Sequence, residues 1–259
     1  MMLEKNRESR LESVMRNLRT AGAISYYYGI LPVVRVPAIL PFVFATPFTI
    51  LFILFIAGSG QYLAFGLSGA ITMSIAQQGL MLGADLTNFK IEHKFQAIVV
   101  ASPVSAFTYF FSVALSELVF AAAPLAVLLA IVSDSGVGAL AILAIIGVVI
   151  LTWVTTSSIG FFLSTYVLNT RTAFLTVTFI STIISILPPV FYPITEIPAA
   201  LRPIAELAPT THAAILIQNL IHAPISFSST QIVVSWAALP LFAIAFLALA
   251  LFKARWREV

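Results

Sequence analysis

The sequence contains no cysteine, so neither a disulfide framework nor a thiolate metal site is available to it. Charge is nearly as scarce. Only 9% of the 259 residues are Asp, Glu, Lys or Arg, whereas a soluble domain carries about 25%. No stretch has the phosphate-loop form GxxxxGK[ST], and none has the HExxH zinc form. No pair of carboxylates stands in a common pocket-like context. The three histidines, His93, His212 and His222, are expected in loops or at interfaces, and no metal or cofactor is expected on this chain. These absences leave any transport energy to an ion gradient or to another polypeptide. The first twenty residues also lack the apolar core and cleavage site of a secretory signal, so the N-terminus is expected to stay in the cytosol.

What is present is apolar. Sixty per cent of the residues are hydrophobic and the mean hydropathy is +1.05. Runs of bilayer-crossing length, about 20 residues each, recur at 37–57, 62–83, 107–132, 139–167, 172–187 and 232–252. The spacing predicts an all-α polytopic membrane protein with six transmembrane helices in one domain, 1–259. Ahead of the first span, residues 1–36 carry Leu11, Val14 and Leu18 at helical spacing among alternating charges, with Tyr26, Tyr27 and Tyr28 beyond. That pattern predicts an interfacial helix on anionic headgroups, its aromatics at the water boundary. Spans one to five and their joints fill 37–190.

The bases set the orientation. With six spans and both termini inside, twelve of the thirteen Lys and Arg fall on the cytoplasmic side and only Arg202 lies outside. The positive-inside rule selects that arrangement. It also explains the net charge of +3 by topology, so no nucleic-acid partner is expected. The multi-pass chain is expected in a plasma membrane.

Residues 187–212, LPPVFYPITEIPAALRPIAELAPTTH, break the pattern. Proline at 188, 189, 193, 198, 203 and 209 is incompatible with an uninterrupted helix. Ile197, Leu201, Ile204 and Leu207 nevertheless keep helical spacing. A broken hairpin at the outer face, 191–212, that re-enters the membrane between spans five and six satisfies both facts, since irregular backbone at that depth survives only where protein or water satisfies it.

Glu117 is the only carboxylate expected well inside a span, about ten residues from its inner end, or roughly 15 Å. No second acid is expected to share the bilayer core. A structural or gating role, accepting bonds from hydroxyls on a neighbouring span, is favoured over proton coupling, which generally uses a relay of such groups.

The order of features resembles the permease subunit of type-2 ATP-binding-cassette exporters over nearly the whole chain. The most specific residues are Phe191-Tyr192-Pro193, Ile197-Pro198, the amphipathic turn 201–207 and Pro209-Thr210-Thr211-His212. A second match is Glu92 with Ser102-Pro103-Val104-Ser105; the family's glycine-threonine pair is replaced by Lys94-Phe95. The resemblance implies a cytoplasmic coupling helix near 93–101 that docks on a separate ATPase subunit, which would hold ATP and Mg. The residues implied in coupling are Glu92, His93, Lys94, Phe95, Gln96, Val99, Ser102 and Pro103. It implies an outer gate at Pro189, Phe191, Tyr192, Pro193, Pro198, Pro209 and His212. A translocation path between two copies, or between this chain and a paired permease, is implied at Gln77, Thr176, Phe179 and Thr182, with Phe174 as a further apolar contact; the same residues could instead pack helix on helix. Membrane lipids complete the expected partners. The cargo is expected to be amphipathic: a drug, a lipid or a glycolipid-like molecule. Two other readings stand beside the permease: a stand-alone secondary carrier or channel-like protein using Glu117, and a membrane scaffold without transport.

Overall fold

The computed structural model describes residues 15–58, 62–92, 94–102, 104–167 and 169–254. His93 and Pro103, and the part of the expected interfacial helix in 1–14, lie outside the described residues. Among the described residues there are helices and no strands.

Helix α1 (15–25) passes into a five-residue π-helix, Tyr26–Ile30, and then into α2, Leu31–Arg35. Two close fits hold this arm to the bundle. The Ser25 hydroxyl donates to the carbonyl of Ser112 at 2.8 Å. Gly29 lies flat on Ser116, where a Cβ would sit 3.0 Å from backbone atoms. Tyr28 stacks at 4.0 Å on Phe89, and burial there pushes its hydroxyl up to about 12.

Six long or middling helices follow: α3 (Ile39–Ala57), α4 (Leu63–Ile91), α6 (Ala106–Asp134), α7 (Ala139–Ser164), α8 (Thr170–Ser185) and α11 (Ser229–Lys253). Between them stand the short α5 (Phe95–Ala101), α9 (Arg202–Ala205) and α10 (Pro209–Leu220). Four of the helices, α3, α6, α7 and α11, are long and apolar enough to cross a membrane. Their outer faces carry residues such as Ile56, Leu140, Leu143 and Leu241, all more than 60% exposed, which suits lipid contact. Local chemistry sets several ends. Ser105 caps α6 by accepting from the Thr108 amide at 3.0 Å. Asn169 caps α8 by accepting from the Thr172 amide at 2.7 Å. Ser228 and Gln231 close a reciprocal capping box on α11.

The centre of the bundle is α4, against which α3, α6, α7, α8 and α10 all pack. It is too polar to rank with the four apolar helices, and its position explains why that is tolerated. From Phe65 to Ala76 every residue is buried, so its hydroxyls meet protein and not lipid. Close approach is built from small residues, as membrane helices do without a hydrophobic drive between them. A Cβ on Gly160 of α7 would lie 2.8 Å from the Gly79 carbonyl oxygen, and one on Gly83 would lie 2.8 Å from the Gly160 carbonyl oxygen. The hydroxyls that crowd α7 serve the same end. Thr152, Thr155, Thr156 and Ser158 donate to the carbonyl four residues back at 2.6–2.8 Å, so each is satisfied within its own helix.

Two boundaries differ from the sequence reading. Helix α4 runs on to Ile91, two turns past the expected end at Gly83, because Asp85 and its neighbours face other helices rather than water. The short helix α5 begins at Phe95, after Lys94 adopts a left-handed φ of 49° that turns the chain sharply.

Candidate functional site

Helices α3, α4, α6 and α8 line an open-sided cavity of about 470 Å³. Helical spacing builds its walls. Gln77, Met81 and Asp85 recur every fourth residue along α4, and Thr178, Ser181 and Thr182 form one turn of α8. Glu117 of α6 points in from the side and is only 2% exposed. The Asp85 and Glu117 carboxyl groups lie against each other at this cavity and interact directly, and two carboxyls sharing one site favour holding a proton between them. This corrects two expectations at once. A pair of carboxylates does share a pocket, and Glu117 does have an acidic neighbour inside the bundle. Asp85 was missed because it opens a run of polar residues that reads as loop. The four-residue repeat from Gln77 through Met81 was the signal that it stays on the helix.

Of the expected path residues, Gln77 and Thr182 line this cavity. Thr176 and Phe179 do not; Phe179 is 67% exposed on the outer face of α8, beside Phe174.

Over the far end of α4 sits the proline-rich segment. Pro188, Pro189, Val190 and Phe191 are buried. The Phe191 ring occupies the notch left by Gly69 of α4. The Val190 carbonyl accepts from Ser68 of α4 at 3.1 Å and from the Gln218 amide of α10 at 3.4 Å. Tyr192 donates its hydroxyl to the Leu187 carbonyl at 2.7 Å, and burial pushes that hydroxyl up. Pro193 leads into a single 3₁₀ turn, Ile194–Glu196, and Pro198 is exposed. Arg202 fastens the turn by donating to the Ile197 and Thr195 carbonyls at 2.9 and 3.0 Å. Pro209 starts α10 at its first position, where proline is favoured. That twelve-residue helix is buried from Pro209 to Gln218, so residues 209–212, expected as the close of the hairpin, are its first turn.

His212 belongs to that buried helix, not to a loop. Its Nε2 lies 2.9 Å from the Glu206 carbonyl oxygen and its Nδ1 3.2 Å from the Ser235 hydroxyl of α11. A carbonyl only accepts, so Nε2 carries the proton and Nδ1 of the neutral ring accepts from Ser235. Burial holds the imidazole below its usual range. His222 is exposed at a left-handed turn. Among the described residues no group of three or more His, Cys, Asp or Glu could hold a metal.

At the opposite end of α4, α5 links α4 to α6. Glu92 is exposed and accepts a hydrogen bond from Thr170 of α8 at 3.3 Å. Lys94 is exposed and Ser102 donates to the Val99 carbonyl at 2.7 Å. Phe95 and Gln96 form the first turn of α5. Val99 is 5% exposed and packs into the core, whereas Ile98 is 67% exposed. Among the described side chains of this helix, Ile98 is the large apolar one that faces outward.

A family model described as ABC-2 type transporter matches residues 12–222. No curated protein matches the chain.

Proposed function

The chain belongs to the ABC-2 type transporter family, and on that premise we propose that it is the membrane-spanning permease of an ATP-driven exporter, powered by a separate ATP-binding-cassette subunit that holds ATP and Mg. The protein is embedded in a membrane, and the reading sets it in the cell membrane as one domain with both termini cytoplasmic. In that reading α4 and α8 cross the bilayer together with the four apolar helices, giving six spans, and residues 191–212 form a re-entrant outer cap. Two such chains, or this chain and a paired permease, face one another and pass an amphipathic cargo between them, with lipid around the outside.

The observation that carries the proposal is the geometry of α5. It is a short rigid helix set between a left-handed residue, Lys94, and an extended one, Ser102. It joins the two 29-residue helices α4 and α6 at one end of the bundle, with Ile98 outward. A lever so placed converts closure of an ATPase beneath it into rigid-body motion of both helices. Glu92 adds α8 to the same lever through Thr170. The test is affinity purification from the native membrane. An ATPase subunit should co-purify with the wild-type chain and be lost from Ile98→Glu while the permease remains folded. Absence of any ATPase from the wild-type preparation overturns the proposal.

The Asp85–Glu117 pair favours a second reading, a carrier that couples to protons without an ATPase. That reading requires ion-dependent flux from the chain alone in liposomes, abolished by Glu117→Gln.

A further inference from the structure

The cavity between α3, α4, α6 and α8 has two walls of opposite character. Phe42, Val43, Phe120 and Val177 make one side apolar; Gln77, Gln78, Asp85, Glu117, Ser181 and Thr182 make the other polar. Among the described residues no Lys, Arg or His lines it. Ser181 is the telling residue. It is 8% exposed and faces the cavity, yet its hydroxyl bonds to no other described residue. Thr182, next to it, donates to the Thr178 carbonyl at 2.9 Å, as do most hydroxyls in this bundle to their own helices. A buried hydroxyl left free at a cavity wall is an acceptor and donor waiting for a ligand.

We propose that this cavity binds an organic monocation, a protonated amine on an apolar body, with Asp85 and Glu117 as counter-charge and Ser181 as a further acceptor. Its role as export cargo rests on the permease reading; the binding itself does not. The charge balance is specific. Two adjacent carboxyls that share one proton carry one negative charge, and one ammonium group neutralises it with the proton retained. Inside a bilayer an uncompensated charge is costly, so the pair selects a cation and repels an anionic headgroup. A primary ammonium brings N–H donors alone, which matches a wall of carboxylate, hydroxyl and amide oxygens. A divalent metal fits less well, since no third acid, histidine or cysteine joins the pair among the described residues. The volume of about 470 Å³ lies in the class that holds drug-sized ligands.

The test uses the full chain in uncharged phosphatidylcholine nanodiscs and two fluorescent probes with the same body. Dansylcadaverine carries a primary ammonium; its N-acetyl derivative does not. Dansylcadaverine should bind roughly tenfold tighter or more, the range for a buried charge left without its partner. Asp85→Asn with Glu117→Gln should erase the preference, Glu117→Asp should keep it, and Ser181→Ala should reduce it. Equal affinity of the two probes for the wild-type chain overturns the proposal without recourse to any variant. So does a preference that survives the double substitution, or displacement of the amine by millimolar calcium, which would mark an inorganic site. Co-purification of an ATPase is blind to these results. Amine preference without an ATPase partner removes the permease reading and leaves the site; an ATPase partner without amine preference does the reverse.

Discussion

Replacing Gly160 by alanine adds one methyl group at the point where α7 and α4 touch. The new carbon would stand 2.8 Å from the Gly79 carbonyl oxygen, 2.9 Å from that of Leu80 and 3.1 Å from the Gly83 nitrogen. All three are backbone atoms of one helix, so no side chain can turn aside. The helices must part by about half an ångström to restore ordinary contact, and a gap of that size forfeits a quarter or more of each dispersion well along the seam. Overpacking of this kind costs about 1–3 kcal/mol, and the upper half applies here because α4 is clamped on its other sides. At about 2–4 °C per kcal/mol for a chain of this size, the midpoint of thermal unfolding in nanodiscs should fall by roughly 5–10 °C. The control lies on the same helix. Gly147 has no atom within 4 Å of its would-be Cβ, so Gly147→Ala should leave the midpoint unchanged or raise it slightly through helix propensity. If Gly160→Ala melts with Gly147→Ala, the close crossing of α4 and α7 does not hold the bundle together and the reasoning fails.

Val99→Glu should lower the yield of folded chain severalfold, because it buries a charge, whereas Ile98→Glu should melt like wild type and lose ATPase binding; size-exclusion profiles separate the two. Gly69→Val fills the notch that Phe191 occupies and should expel the ring. Since the chain has no native cysteine, maleimide labelling of Val190→Cys, the buried neighbour of that ring, can be read without background, and its rate should rise severalfold when Gly69→Val is added. His212 gives a pH dependence. Its folded imidazole is held below the usual range, so as pH falls through the unfolded value of about 6.5 the unfolded chain takes up a proton that the folded cap does not. Stability should therefore drop from pH 7.5 to pH 5.5, and His212→Gln should flatten that slope; an unchanged slope assigns the effect elsewhere.

The long apolar helices were legible because bilayer length and apolar run length are the same quantity read twice. The expected spans at 107–132 and 139–167 fall within a few residues of α6 and α7. Where polar residues begin, the sequence misleads. Asp85 marks the end of an apolar run, but the helix continues because Glu117 receives it, and that partner is 32 positions away. Pro209-Thr210-Thr211-His212 reads as a loop by composition and is the first turn of a buried helix. Proline at a first helical position was the available sign. The outward face of α5 could not be read at all: over seven residues, periodicity does not distinguish Ile98 from Val99. The free hydroxyl of Ser181 has no sequence signature: Thr182 beside it bonds back to its own helix, while Ser185 one turn on is likewise unpartnered among the described residues.

Helix α4 touches both ends of the molecule. Its 29 residues amount to a rod of about 43 Å, with α5 fixed to one tip and Phe191 seated near the other. In the permease reading, a tilt imposed at the α5 tip carries the Phe191 end with it as one rigid body, so movement at the two ends would be a single event and not a sequence of two.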